Sequence, residues 1–265
     1  MTAINPAKLK IQCLKLAESF LDPEGFTSRL HELLTFYTAR VRQSKLTHTS
    51  EKLQAYQVPP PVLRGLELEL IEETHQFPEE TLTLLDLLWK EDWLEFKQLA
   101  VILLGSISTT YTEEILNRIQ NWARTPTEDL RQQIMTRGLQ RLRVEEKYRV
   151  LDLIKKLGAS ADKKDRQEAL FGLMPFAVDT KFDDLPKIFK VLGDILMIEE
   201  TIFVKEITGL LRSLKMRSEQ ETAYFLVRQL AKASKPRILR ITRQIMREFS
   251  EDHRVLMRDG LSNYS

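Results

Sequence analysis

In the stretch RILRITRQIMREF, Arg240, Arg243 and Arg247 recur at three- and four-residue steps, with Ile238, Ile241, Ile245 and Phe249 set between them. On an α-helix the two sets fall on opposite sides, an apolar stripe and a row of three guanidiniums able to grip phosphate. Arg228, Lys232 and Lys235 upstream extend the row, and a second basic group, Arg131, Arg137, Arg141 and Arg143, lies mid-chain. If successive helices keep register, both groups face one groove, and binding there weakens with salt through counterion release. The competing reading is an ordinary solvated helix face, the commoner fate of such residues.

No other chemistry is spelled out by spacing. His31, His48, His75 and His253 are scattered without metal-ligand spacing, and the single cysteine, Cys13, has no partner for a disulfide. Neither a phosphate-binding glycine loop nor a nucleophile elbow occurs, so no metal and no cofactor is expected. Met135, Met174, Met197 and Met246, at helical spacing, read as core filler, and His75 as a cation closing a helix.

The 265 residues, 43% hydrophobic and 29% charged with a net charge of +2, carry no global pull toward polyanions. The charge is nevertheless polarised. Between Glu51 and Glu95 stand 11 acidic and 3 basic residues, and between Phe203 and Arg258 stand 13 basic and 6 acidic. The N-terminal MTAINPAKLKIQCLKLAESF reads as an amphipathic helix rather than a signal peptide, and no apolar run is long enough for a bilayer. A cytoplasmic protein without membrane contact is the expectation.

The elements that must carry these groups are helices. Apolar residues recur at helical spacing, without sustained alternation, between glycines and prolines that number 9 and 10. Asn5 before Pro6 and Asp22 before Pro23 read as capped helix starts, and Pro59, Pro60 and Pro61 preset another. Beyond Ser108 the expected helices pair as 112–124 with 127–142, 145–158 with 161–178, 185–197 with 199–215, and 219–234 with 236–249, with Pro175 kinking one of them. Pair starts lie 33, 40 and 34 residues apart, the spacing of helical-hairpin repeats. The expected fold is all-α, a HEAT/armadillo-like α-solenoid of stacked helical hairpins forming a single domain over 1–265. Residues 1–57 supply N-terminal helices and 58–265 the repeats; a compact irregular bundle is the alternative.

The stretch DLLWKEDWLEFKQLAVILLG joins two of these helices. Leu84, Leu85, Leu88 and Trp89 share one face, and Leu99, Ile102 and Leu103 continue it after the joint. Trp89 is expected as a core anchor, and Glu95 as an acidic residue favouring the first turn of its helix. This corner resembles one in the DNA alkylation repair family, HEAT-like proteins related to the bacterial alkylpurine DNA glycosylase. There a Leu-Trp ends one helix, and a Glu, an aromatic and a later alanine begin the next, here Leu88, Trp89, Glu95, Phe96 and Ala100. YQVPPPVLRGLELEL, through Pro61, Leu63 and Arg64, and FVKEITGLLRSL, from Phe203 to Leu214, resemble the family's preceding and late helices. The likeness extends over roughly 56–261.

The resemblance implies a basic groove for duplex DNA and cleavage of the glycosidic bond of N3- or N7-alkylated purines. A carboxylate would stabilise the developing oxocarbenium, and two tryptophan faces would hold the cationic nucleotide. Matched without gaps, however, Thr127 and Glu128 stand at the family's two tryptophans, Gln132 at its catalytic aspartate, and Leu210 at the other cage tryptophan. Glutamine carries no charge to oppose the oxocarbenium, and leucine offers no π face. The reading is therefore a duplex DNA-binding module without efficient base excision. The alternatives are a protein scaffold with a partner in the groove, and a glycosylase whose carboxylate has moved to Glu128 or Asp129 near Trp122.

Overall fold

Apolar residues at helical spacing do build helices throughout the computed structural model, which describes residues 4–38, 53–198, 203–232 and 236–262. The fold is all-α, with no strand among the described residues beyond one isolated bridge, Gln54 to Trp93. The chain divides into two compact units, Met1–Lys147 and Tyr148–Ser265. Among the described residues, no single helix is long and apolar enough to cross a membrane.

The first unit holds α1 (Pro6–Ala17), α2 (Pro23–Thr38), α3 (Pro60–Gln76), α4 (Pro78–Lys90), α5 (Leu94–Leu104), α6 (Thr112–Trp122), α7 (Glu128–Thr136) and α8 (Gln140–Glu145). The expected caps are present. Asn5 Oδ1 accepts from the amides of Ala7 and Lys8, and Asp22 Oδ1 from that of Gly25. His75 lies in the last turn of α3. Alternate helices pack in a row, α1 on α3, α3 on α5 and α5 on α7, while α2 packs on α4. Cys13 is fully buried in this unit, and burial, reinforced by Glu69, pushes its thiol up to about 12. The single helix expected over 127–142 is instead two, parted by a turn at 137–139 whose Gly138 has no room for a side chain: a Cβ there would lie 2.7 Å from the Ile134 carbonyl oxygen and 2.8 Å from Ile119 Cδ1.

The second unit holds α9 (Lys147–Gly158, whose first residue falls in the first unit), α10 (Lys163–Val178), α11 (Leu185–Met197), α12 (Val204–Arg217), α13 (Glu219–Lys232), α14 (Pro236–Met246) and α15 (Glu251–Ser262). Here too α10 packs on α12, α12 on α14, and α13 on α15. The helix expected from 199 begins at Val204; residues 199–202, and the Ser234 end expected for α13, lie outside the described residues. α14 stops at Met246, and α15 was not foreseen, since its apolar face reduces to Met257, Gly260 and Leu261. Pro175 sits inside the last turn of α10, which runs on to Val178.

A buried cation recurs as the fourth residue of α5, α7 and α10. Lys97, Arg131 and Arg166 are only 8%, 5% and 1% exposed. Arg131 Nη1 donates to the carbonyls of Thr125 (3.1 Å) and Pro126 (2.8 Å), and Arg166 Nη1 to those of Ser160 and Ala161, both at 2.8 Å. Lys97 Nζ donates to the Trp89 carbonyl. Each helix start thus ties down the segment preceding it, satisfying carbonyls that the end of the previous helix or the connecting turn leaves without an intrahelical partner. Burial lowers the Lys97 ammonium below its usual range, against the opposing pull of Asp92 and Glu91.

Glu95 has a different task from the one expected. It stands in the first turn of α5, but its carboxylate is 4% exposed and accepts from the amides of Tyr56 (3.0 Å) and Gln57 (2.7 Å). Gln57, with φ 54°, is the one non-glycine residue with positive φ among those described, so a buried charge holds a strained backbone in place. Tyr56 is further pinned by stacking on Trp93 (4.0 Å, 19°) and by a 2.5 Å hydrogen bond shared with His31 Nδ1. We predict that Glu95→Gln loses about 2–3 kcal/mol, because one amide then faces an NH2 group instead of an oxygen. Urea denaturation measures the loss, and faster hydrogen exchange at Tyr56 and Gln57 localises it.

Candidate nucleic-acid interface

Arg240 and Arg243 stand on α14 and Arg247 in the turn just past it, opposite an apolar stripe. Pro236 presets the first turn, and Ile238, Ile241 and Ile245 are at most 1% exposed, with Phe249 buried just beyond the helix. Leu230 and Leu261 pack with Ile238, and Met246 closes the cluster. With this face seated on α12, α13 and α15, Arg240, Arg243 and Arg247 are left exposed. None of the three has a hydrogen bond or ion pair among the described residues. The nearest carboxylate in sequence, Glu248, is taken by Arg212, whose Nε and Nη2 both donate to it at 2.8–3.1 Å. That pairing, with Lys215 nearby, holds the Glu248 carboxyl below its usual range. Three guanidiniums therefore keep their donors for a ligand.

The mid-chain basic group is differently disposed. Arg131 is spent on its own turn, and Arg143 Nη1 donates to the Thr136 carbonyl at 2.8 Å. Arg137 pairs with Glu67 at 2.6 Å, and Arg141 with Glu145 at 2.8 Å while also donating to the Ser106 carbonyl. Arg141 and the Thr109 hydroxyl hold Glu145 below its usual range. These residues staple the first unit together. Arg131 in particular is too buried to reach a phosphate, so the structure removes it from the expected groove.

Arg228 and Lys232 are exposed on α13, but they line a trough between α13 and α11 rather than continuing the α14 row. Lys235 lies outside the described residues. The trough, ≈ 740 Å³, is lined by Gly193, where α11 faces α13 closely enough that a Cβ would sit 3.0 Å from Gln229 Nε2. Phe189 and Phe225 stack across it, centroids 4.9 Å apart. Sequence reasoning missed Lys190, Tyr224 and Gln229 here, since nothing local signals that α11 adjoins α13.

Of the weak catalytic candidates, Glu128 and Asp129 are both exposed in the first turn of α7. Trp122 is 5% exposed, and its indole stacks on Trp89 at 4.3 Å and 8°, with Lys97 Nζ 4.9 Å from the Trp89 centroid. Trp89 is thus half-buried within an aromatic and cationic stack rather than enclosed by aliphatic core. Among the described residues no group of three histidine, cysteine or carboxylate side chains could hold a metal.

A family model for the DNA alkylation repair enzyme matches residues 32–251. The chain belongs to the DNA alkylation repair family. No curated protein and no solved structure matches it. Against the family's pattern, Gln132 is exposed on α7, while Leu210 is fully buried within α12. Leu210 therefore serves the core and presents no face to a nucleotide.

Proposed function

We propose that this family member is a duplex DNA-binding module without efficient base excision, built from HEAT-like hairpins within each unit. The packing of alternate helices and the repeated buried cation in α5, α7 and α10 support the hairpin reading. The observation that carries DNA binding is the run of exposed, unpaired arginines, Arg240 and Arg243 one turn apart on α14 and Arg247 in the turn just past its end. The loss of excision rests on Leu210, buried, and Gln132, uncharged, at the positions that the family resemblance assigns to a tryptophan and an aspartate.

Fluorescence anisotropy of a labelled duplex, titrated at several salt concentrations, tests the binding. Changing Arg240, Arg243 and Arg247 together to alanine is expected to lower the slope of log K against log salt by about 3, roughly one per lost phosphate contact. An unchanged slope and affinity would leave the groove to a protein partner. Release of N3- or N7-methylated purine, abolished by Glu128→Gln or Asp129→Asn, would restore a glycosylase.

A further inference from the structure

The trough between α11 and α13 has a composition that narrows its ligand. Lys190, Arg228 and Lys232 are exposed cations without an ion pair among the described residues. Tyr224 stands 55% exposed beside them, one and two helical turns before Arg228 and Lys232 on the same face of α13. Asp194 and Glu221 add acceptors. Gln229, 4% exposed, lines the trough, and its buried carboxamide oxygen lacks a hydrogen-bond partner.

Each feature excludes something. Five charged side chains exclude a purely apolar ligand, and two carboxylates with an aromatic wall disfavour a bare inorganic anion. What remains must carry negative charge, a flat face and hydrogen-bond donors together. A nucleotide does: its phosphate suits the cations, its base the Tyr224 ring, and its sugar hydroxyls or base N–H groups the carboxylates and Gln229. The volume of ≈ 740 Å³ lies within the range of small-molecule sites.

We propose that the α11–α13 trough is a second nucleic-acid site, binding a nucleotide unit whose base is not paired. It is independent of the α14 row, because Arg240, Arg243 and Arg247 take no part in it. The source is a free nucleotide or one nucleotide of a single strand.

The test titrates the full chain against a labelled oligothymidylate at low salt, with thymidine monophosphate as competitor and a labelled duplex in parallel. Tyr224→Ala is expected to weaken oligothymidylate binding roughly tenfold, and Tyr224→Phe, which keeps the stacking face, to preserve it. Lys190→Ala with Arg228→Ala should weaken the same ligand, and neither change should alter duplex binding. Competition by the mononucleotide assigns the site to free nucleotides, and its failure beside tight oligothymidylate binding assigns it to single strands. The proposal is overturned by absence of binding to both ligands. It is overturned equally if Tyr224→Ala has no effect, or if the α14 triple substitution removes single-strand and duplex binding alike. Failure of the unsubstituted chain to bind the duplex, with oligothymidylate binding intact, would instead strike the α14 reading.

Discussion

Replacing Arg166 with alanine is expected to lower the stability of the protein by about 3–5 kcal/mol. The side chain is 1% exposed and its Nη1 holds the carbonyls of Ser160 and Ala161 at the start of α10. Removing it orphans two acceptors, at about 1–3 kcal/mol each, and leaves a cavity where one of the largest fully buried side chains stood. Arg166→Met separates the two effects. It refills much of the volume but restores no hydrogen bond, so it should recover only part of the loss. Arg166→Lys should also fall short, because an ammonium cannot reproduce the guanidinium fork. Urea denaturation of the three variants measures the series, and a loss below about 1 kcal/mol for alanine would remove the tie from the account of the fold.

Gly105→Ala should be comparably harmful, by about 3 kcal/mol, for a steric reason. A Cβ at Gly105 would lie 2.0 Å from the Arg137 carbonyl oxygen, and the Gly105 carbonyl accepts from the Arg141 amide at 3.0 Å. Backbone meets backbone here, so no side chain can move aside to admit the methyl group. Gly209→Ala is the control. In mid-α12 the new Cβ would meet only Met174 Cε, at an ordinary 3.4 Å, so alanine should be neutral or stabilise by up to about 1 kcal/mol. Thermal melts should show a large fall for Gly105→Ala and no fall for Gly209→Ala; an unchanged melt for Gly105→Ala would contradict the close approach there.

The two effects bear on function because they set the scaffold on which ligand groups stand. Buried cations and close glycine contacts fix the joints between helices. The α14 arginines, exposed and unpaired, then contribute little to stability, and their removal should leave the melting transition almost unchanged. A stability-neutral loss of DNA binding would mark them as ligand contacts.

Much of the fold is legible in the sequence. The helices follow from apolar spacing, and the starts of α1 and α2 from Asn5 and Asp22 beside prolines, because capping and periodicity act within a few residues. The amphipathic division into an isoleucine stripe and arginines was written in the sequence and holds for Ile238, Ile241, Ile245, Arg240 and Arg243, while Arg247 and Phe249 fall in the turn beyond Met246. The family resemblance was likewise carried by the corner Leu88 to Ala100 together with Pro61, Leu63, Arg64 and the stretch Phe203 to Leu214, and agrees with the matched family model.

What local pattern could not decide is which of several like residues are spent on the fold. Arg131 and Arg240 are the same residue type on amphipathic helices, yet one is buried against two carbonyls and the other exposed. Glu95 was read by its place in a first turn, whereas its partners, Tyr56 and Gln57, lie far away in the chain. Trp89 meets Trp122, α7 breaks at Gly138, and the trough opens between α11 and α13, each through a contact between separate helices. Sequence by itself determined the helices and their amphipathic faces, because those arise from interactions a turn or two long. Tertiary structure alone decided which charges are satisfied and which remain available, because pairing and burial depend on neighbours brought together from distant parts of the chain.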